Sequence, residues 1–247
     1  MVMQYAPEEL LTVTIARLIK GMRHVAVGMA SPIPGSAALL AKAMAQDDVR
    51  VSILGHAERQ VWSDTGSELF DCAGQGRIDA FFLGGGQIDG HANINLVGVG
   101  EYPHQKVRWA GSFGSAYLYF VVPRVILFRE EHSRRVLVPQ VDFISAPGTS
   151  DPNVYRPGGP HALVTSLCLF SFDKTKQCFQ LESVHPGHTI EEVQDNTGFN
   201  FIVPDHVPTT PEPDESTLTL VRGEVASEIA EVYPGFAHRV FGLKKKD

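Results

Sequence analysis

Residues 84–95 read Gly-Gly-Gly-Gln-Ile-Asp-Gly-His-Ala-Asn-Ile-Asn directly after the apolar run Ala80–Leu83, and no other stretch constrains the fold of this chain so closely. Successive glycines at Gly84, Gly85 and Gly86 allow positive φ and bring bare N–H groups to a surface that no Cβ obstructs. Gln87, Asp89, Asn93 and Asn95 add donors and acceptors beside that backbone. Such a turn either handles a ligand or a reacting carbonyl, or is a tight connection between strands in which glycine serves bending and asparagine serves turn geometry. His91 within it either touches the ligand or caps the turn.

Strands and helices alternate on both sides of this turn. Leu10, Leu11, Thr14, Ile15, Leu18 and Ile19 recur at helical spacing between Pro7 and Lys20, which predicts an amphipathic opening helix stopped by Gly21. His24–Met29 reads as a short buried strand, Ser31–Gly35 turns it into a second helix to about Ala45, and Val49–Leu54 is a second strand. Ala80–Leu83, Val121–Phe128 and Val136–Ile144 continue the extended signals. The pattern predicts an α/β fold with an open, mainly parallel sheet and flanking helices, in which the carboxyl ends of the strands gather the ligand-binding loops. Leu163–Phe172 and Cys178–Val184 flank Asp173–Lys176 as a C-terminal hairpin. Thr189 and Glu192 make a capping box for a short helix that Gly198 stops. Val203–Pro213 is a surface connector to a last helix over Leu218–Ala230.

At 247 residues the chain fits one large α/β domain or two small ones, and we expect a single domain over 1–247. Hydrophobic content of 43% and charged content of 20% are those of a soluble globular protein. The net charge of −7 argues against a nucleic-acid partner, which requires a basic face. Lys244–Lys246 is the one dense basic run and reads as a solvated tail. Cys72, Cys168 and Cys178 share no metal-ligand spacing, so neither a disulfide framework nor a metal site is expected, and reduced cytoplasmic thiols are the default. Glu8 and Glu9 precede the first apolar residues, and no apolar run approaches the ~20 residues that span a bilayer. The expectation is a cytoplasmic protein with no membrane partner.

Several other groups carry possible chemistry. Asp64, Glu68 and Asp71 form the polar face of a helix. Ser112 and Ser115 lie beside glycines but outside any Gly-x-Ser-x-Gly elbow, and the Rossmann fingerprint is missing after Gly84–Gly86.

The order of these blocks resembles the β-type subunit of family I CoA-transferases, the group of glutaconate CoA-transferase. Gly85-Gly86-Gln87 with Asp89, Asn93 and Asn95 is similar to the family's first glycine loop, and Gly111-Ser112-Phe113-Gly114-Ser115-Ala116 to its second. Tyr102-Pro103-His104, Val141–Gly148 and His185-Pro186-Gly187 match further family turns. The resemblance implies a CoA-transferase-like fold, a coenzyme A thioester as substrate with no permanently bound cofactor, and an α-type partner in an αβ heterodimer or α2β2 heterotetramer. It implies substrate-binding and oxyanion roles for Gly84, Gly85, Gly86, Gln87, Asp89, Asn93 and Asn95, and for Gly111, Ser112, Gly114 and Ser115; oxyanion donors of this kind are worth ~3 to 4 kcal/mol each. Tyr102, Lys106, Arg108 and Trp109 either meet the phosphates and adenine of CoA or pack within the fold.

The resemblance also implies a nucleophilic glutamate after the second strand, and that position falls on Leu54. Glu58 takes the role only in a loop reshaped by about four residues, and is otherwise a solvated acid paired with Arg59. His56 is either a proton-transfer group or a hydrogen-bonded structural histidine. Transferase chemistry is placed first. The alternative is a β-type subunit like those of steroid ring-opening CoA-thioester hydrolases, whose essential acid lies on the α-type partner, and the second alternative is a non-catalytic acyl-CoA-binding subunit.

Overall fold

A computed structural model describes residues 5–45, 48–63 and 66–243. Its chain starts one compact unit, leaves it to build a second, and returns. The first unit takes the described residues up to Leu69, then Arg77–Phe81 and those from Pro211 on; the second takes Phe70–Gly76 and Phe82–Thr210.

In the first unit, α1 (Pro7–Leu18) is followed by β1 (His24–Val27), α2 (Pro32–Met44) and β2 (Arg50–Ile53). Helix α3 (Ser67–Gly74) leads on to β3 (Ala80–Leu83). β1 is buried at all four residues and pairs in parallel with β2, His24 to Arg50, and with β3, Val25 to Ala80. The expected amphipathic character of α1 does not hold. Every residue from Glu8 to Ala16 is buried. Two acids tolerate this because each has a cation: Arg222 grips Glu9 through Nε and Nη2 at 2.6 and 2.8 Å, and Arg239 meets Glu8. Glu9 Oε2 also accepts the Ala6 N–H at 2.7 Å, capping the helix it belongs to.

The second unit opens with two short antiparallel pairs, β4 (Gln87–Ile88) with β5 (Ile94–Asn95) and β6 (Gly98–Val99) with β7 (Val107–Arg108). Helix α4 (Ser115–Val121) precedes β8 (Arg124–Phe128), which runs parallel to β9 (Pro160–Val164). β10 (Cys168–Asp173) and β11 (Cys178–Val184) add antiparallel neighbours. Asp173 Oδ1 closes the expected hairpin by accepting the N–H groups of Thr175 and Lys176 at 2.9 and 3.0 Å. Phe170, Phe172, Phe179, Phe199 and Phe201 interlock over this sheet at centroid distances of 4.9 to 6.4 Å. Helix α5 (Ile190–Asn196) begins at Thr189, whose hydroxyl accepts the Glu192 N–H at 3.2 Å.

Some expectations fail for identifiable reasons. Val136–Ile144 forms no strand; its backbone meets β4 in an isolated bridge, Ile88 to Leu137, and its amides at Val141 and Asp142 point to side-chain oxygens of Asp89 and Gln87 instead of a ladder. Leu163–Phe172 is two strands, split where Thr165 Oγ1 accepts the Leu167 and Cys168 N–H groups. The extended segment expected over Val121–Phe128 begins only at Arg124, because Val121 ends helix α4, whose buried Tyr119 hydroxyl donates to Ala92 O at 3.0 Å. Back in the first unit, α6 (Glu215–Leu220) passes through a π-helical turn at Val221–Val225 into α7 (Ala226–Ile229), and α8 (Pro234–Phe241) lies beyond the expected end at Ala230.

Candidate active site

The turn after β2 is closed by its own hydrogen bonds. Leu54, at the nucleophile position of the resemblance, is 5% exposed, and its N–H goes to Val27 O at 3.1 Å. Gly55 turns the chain at φ +87° and donates to Gln60 Oε1 at 2.7 Å. His56 N–H reaches Ile53 O and Gln60 N–H reaches His56 O, while Ile53 N–H donates to Arg59 O. Ala57 N–H donates to Glu231 Oε1 at 2.7 Å, and the N–H groups of Glu58 and Arg59 both donate to His56 Nδ1 at 3.3 Å. Each backbone donor from Ile53 to Gln60 therefore has an acceptor within the first unit.

His56 is consequently a buried anchor, 1% exposed, rather than a group facing solvent. Its Nδ1 lies 3.4 Å from Glu231 Oε2 and its Nε2 3.8 Å from Glu228 Oε1. Glu58 is exposed, and Arg59 pairs with Glu228 through Nε instead of with Glu58.

The glycine turn departs from the conformational argument made for it. None of Gly84, Gly85 and Gly86 takes a positive φ. Space explains them. A Cβ on Gly86 would fall 2.1 Å from the Trp109 ring, and one on Gly85 2.7 Å from Gln87 O and from the Ile94 side chain. The polar side chains that follow bind one another. Gln87 Oε1 accepts from Asn95 Nδ2 at 2.7 Å and from Asp142 N–H at 3.0 Å, and Gln87 Nε2 donates to Asp142 Oδ2 at 3.2 Å. Asn95 donates also to Gly98 O and accepts the N–H groups of Val97 and Gly98. Asp89 accepts the N–H groups of His91 and Asn93 and the Asn93 amide; Asn93 Oδ1 takes the Gly148 N–H. Gln87, Asp89 and Asn95 are 5, 3 and 0% exposed. His91 Nδ1 sits 3.1 Å from Gln177 O, tying the turn to the β10–β11 hairpin.

The second loop is more open. Gly111 has φ +106° and Phe113 φ +48° with 73% exposure. Ser115 N–H donates to Ser112 O at 2.9 Å, Gly114 fits against the Phe70 ring, and the buried Ser115 Oγ has no partner among the described residues. Arg108 lies 5.8 Å from the centre of the Tyr102 ring, and Tyr102 packs on Phe143. Glu68 accepts the Ser63 N–H and hydroxyl at the start of α3, and Asp71 is exposed on that helix. Asp64 and Lys244–Lys246 lie outside the described residues.

One arrangement resembles a nucleophile and its base. Cys168 Sγ stands 3.9 Å from His132 Nδ1, but burial pushes the thiol up to about 12 and the imidazole down to about 4. Both shifts oppose a thiolate–imidazolium pair. His132 instead bridges Thr165 and Thr197, and His185, also held at about 4 by burial, binds Thr210 Oγ1 and Thr165 O. Among the described residues no group of three or more His, Cys, Asp and Glu side chains is placed to hold a metal ion, and no helix is long and apolar enough to cross a membrane.

Parallel strands with both turns at their carboxyl ends recur in a known group. The sequence model of the Coenzyme A transferase family matches residues 9–196. The chain belongs to that family. Its relatives differ in chemistry. The B-type subunit of the 3-oxoadipate CoA-transferase of Pseudomonas knackmussii is 31% identical over 243 residues, covering 88% of this chain and 92% of that one. The cholesterol ring-cleaving hydrolase IpdB subunit of Rhodococcus jostii is 26% identical over 232 residues, covering 87 and 90%. The solved structure of the decarboxylase AibA/AibB aligns with a TM-score of 0.75 at 25% identity, covering 97% of this chain and 100% of that one. One fold thus carries transfer, hydrolysis and decarboxylation among these relatives.

Proposed function

We propose that this chain is the B-type subunit of a cytoplasmic enzyme that acts on an acyl-CoA thioester with an α-type partner, as an αβ heterodimer or α2β2 heterotetramer, and that no covalent glutamyl intermediate forms on it. The observation that carries this is Leu54, a buried leucine whose N–H is bonded to Val27 O where a carboxylate nucleophile would have to stand. Moving Glu58 to that place requires breaking the hydrogen bonds of every amide from Ile53 to Gln60. In this reading the reaction adds water to, or cleaves a carbon–carbon bond of, a CoA-linked substrate, in keeping with a ring-cleaving hydrolase and a decarboxylase among the relatives. The partner supplies the acid or base. This chain supplies the acyl-CoA surface: Gly84 and Gly85 offer backbone N–H groups to the thioester oxygen while Gly86 N–H ties the turn to Asn95 O, Gln87, Asp89, Asn93 and Asn95 hold that turn rigid, and Gly111–Ser115 offers the second loop with the Ser115 hydroxyl, which has no partner among the described residues. Three cysteines that share no metal-ligand spacing fit a reducing compartment.

A second reading, CoA transfer with Glu58 as a displaced nucleophile, is favoured by the exposure of that carboxylate and by the 31% identity to a transferase chain. Mass spectrometry of the complex incubated with acyl-CoA and then borohydride or hydroxylamine separates the two. The first predicts no adduct on this chain and consumption of a CoA-linked diketone with uptake of one water. An adduct on Glu58 together with CoA exchange establishes the second and overturns the first.

A further inference from the structure

Two turns stand at the carboxyl edge of β1 and β2, Met29–Ser31 and Leu54–Gln60, and both are held from one distant segment. Glu231 accepts the Ala57 N–H, Glu228 holds Arg59, and both carboxylates flank the buried His56 ring. Tyr233 Oη accepts the Ser31 N–H at 3.2 Å. Between them, Val232 closes on Gly55, where a Cβ would come within 3.8 Å of Val232 Cγ1 and 3.4 Å of Met29 Sδ. Glu228, Glu231, Val232 and Tyr233 all lie beyond residue 196, where the family match ends.

We infer that Glu228–Tyr233 is a positioning brace that sets the backbone of both turns for the reaction at this edge, with Glu231 as its principal residue. The inference deepens the function proposed above and rests on it for its catalytic part. In an open α/β sheet the loops at the carboxyl ends of the strands face the ligand, so their backbone positions decide how the substrate is oriented. Ala57, Glu58 and Arg59 have no acceptors in a strand ladder, and Ser31 precedes Pro32 at the start of α2. Without the brace, the Ala57 and Ser31 amides lose their acceptors, and the His56 ring that accepts from Glu58 and Arg59 loses the two carboxylates beside it. The π-helical turn at Val221–Val225 accounts for how one continuous helical segment serves two clients. It changes the phase of the residues after it, so that Arg222 meets Glu9 on α1 while Glu228 meets Arg59.

The test uses the complex with its α-type partner and three variants, Glu231→Ala, Glu231→Gln and Tyr233→Phe. Hydrogen exchange and steady-state kinetics are measured on each. Glu231→Ala is expected to speed exchange at the Ala57, Glu58 and Arg59 amides at least about tenfold and to lower kcat about tenfold with KM within about twofold. Glu231→Gln keeps the acceptor oxygen and is expected to restore both. Tyr233→Phe is expected to speed exchange at Ser31 alone. Unchanged exchange in Glu231→Ala overturns the brace. Faster exchange with unchanged kcat overturns its role in the reaction. A wild-type complex inert toward acyl-CoA overturns the functional reading alone, and the exchange measurements still decide the brace.

Discussion

The turn after β2 and the turn after β3 are both crowded with polar residues, and both are saturated with hydrogen bonds, but they are saturated from different places. Around Gly84–Asn95 most partners are nearer in sequence: Gln87 meets Asn95, Asp89 meets Asn93, Asp142 is 55 positions from Gln87, and the most distant, Gln177, is 86 positions from His91. Around Leu54–Gln60 the decisive partners are Glu231 and Glu228, 174 and 169 positions away from Ala57 and Arg59. A polar turn in a sequence therefore marks a place that must be held, and which groups remain for a ligand depends on what holds it. In the glycine turn the side chains and the amides from Gly86 to Ile94 hold one another, and what is left to serve lies at Gly84 and Gly85. In the β2 turn even the backbone is taken.

Acid gives the largest way to separate the two regions. His132 and His185, in the unit of the glycine turn, are held neutral at about 4 by burial, against 6.5 in an unfolded chain. The unfolded state binds more protons between those values, so stability is full above pH 6.5 and falls as the pH drops toward 4, by on the order of 3 kcal/mol for each histidine. His161 in that unit and His24 in the other are lowered in the same direction, each mainly by burial. Hydrogen exchange at pH 5 should show the unit with three such histidines loosening more than the unit with one; equal loosening would remove the contrast. Next, Asn95→Ala strips partners from Gln87, Val97 and the Gly98 backbone and should destabilise by about 3 kcal/mol in urea unfolding. Gly86→Ala drives a methyl into the Trp109 ring and should destabilise by about 2 kcal/mol with a shift in tryptophan emission; an unshifted spectrum would mean that the turn gives way instead of the ring. Glu231→Ala should cost about 1 kcal/mol, because the Ala57 amide it exposes lies at the surface. Smallest of all, Glu58→Gln should change stability by less than about 0.5 kcal/mol and leave turnover intact, and loss of turnover would return the Glu58 carboxylate to the chemistry.

The architecture was legible where period and punctuation agreed. The β1–α2–β2 unit, the Asp173 hairpin and the Thr189 cap each rest on local patterns that tertiary contacts did not override. Val136–Ile144 misled because its alternation belongs to a segment that serves side-chain acceptors of another turn, and Val121–Phe128 misled at its start because Val121 closes the helix that carries the buried Tyr119. The site was legible as a location and only half legible as a mechanism. Gly84–Asn95 announced itself, yet its glycines answer to Trp109 and Ile94 packing, which no local window contains. His56 and Glu58 were visible as chemistry-bearing residues, but the environment of His56 is written in Glu228 and Glu231, which no local pattern around His56 contains.

The interleaved course of the chain bears on the order in which it is made. Residues 82–210 can emerge from a ribosome and settle as a unit while β1, β2 and α1 still lack the segment that carries Arg222, Glu228 and Arg239. Until then Glu8 and Glu9 have no counter-charge and Ala57 no acceptor. The part synthesised first is therefore the part completed last, and a nascent chain stalled before residue 211 would display a finished second unit attached to an α1 whose acids are unneutralised.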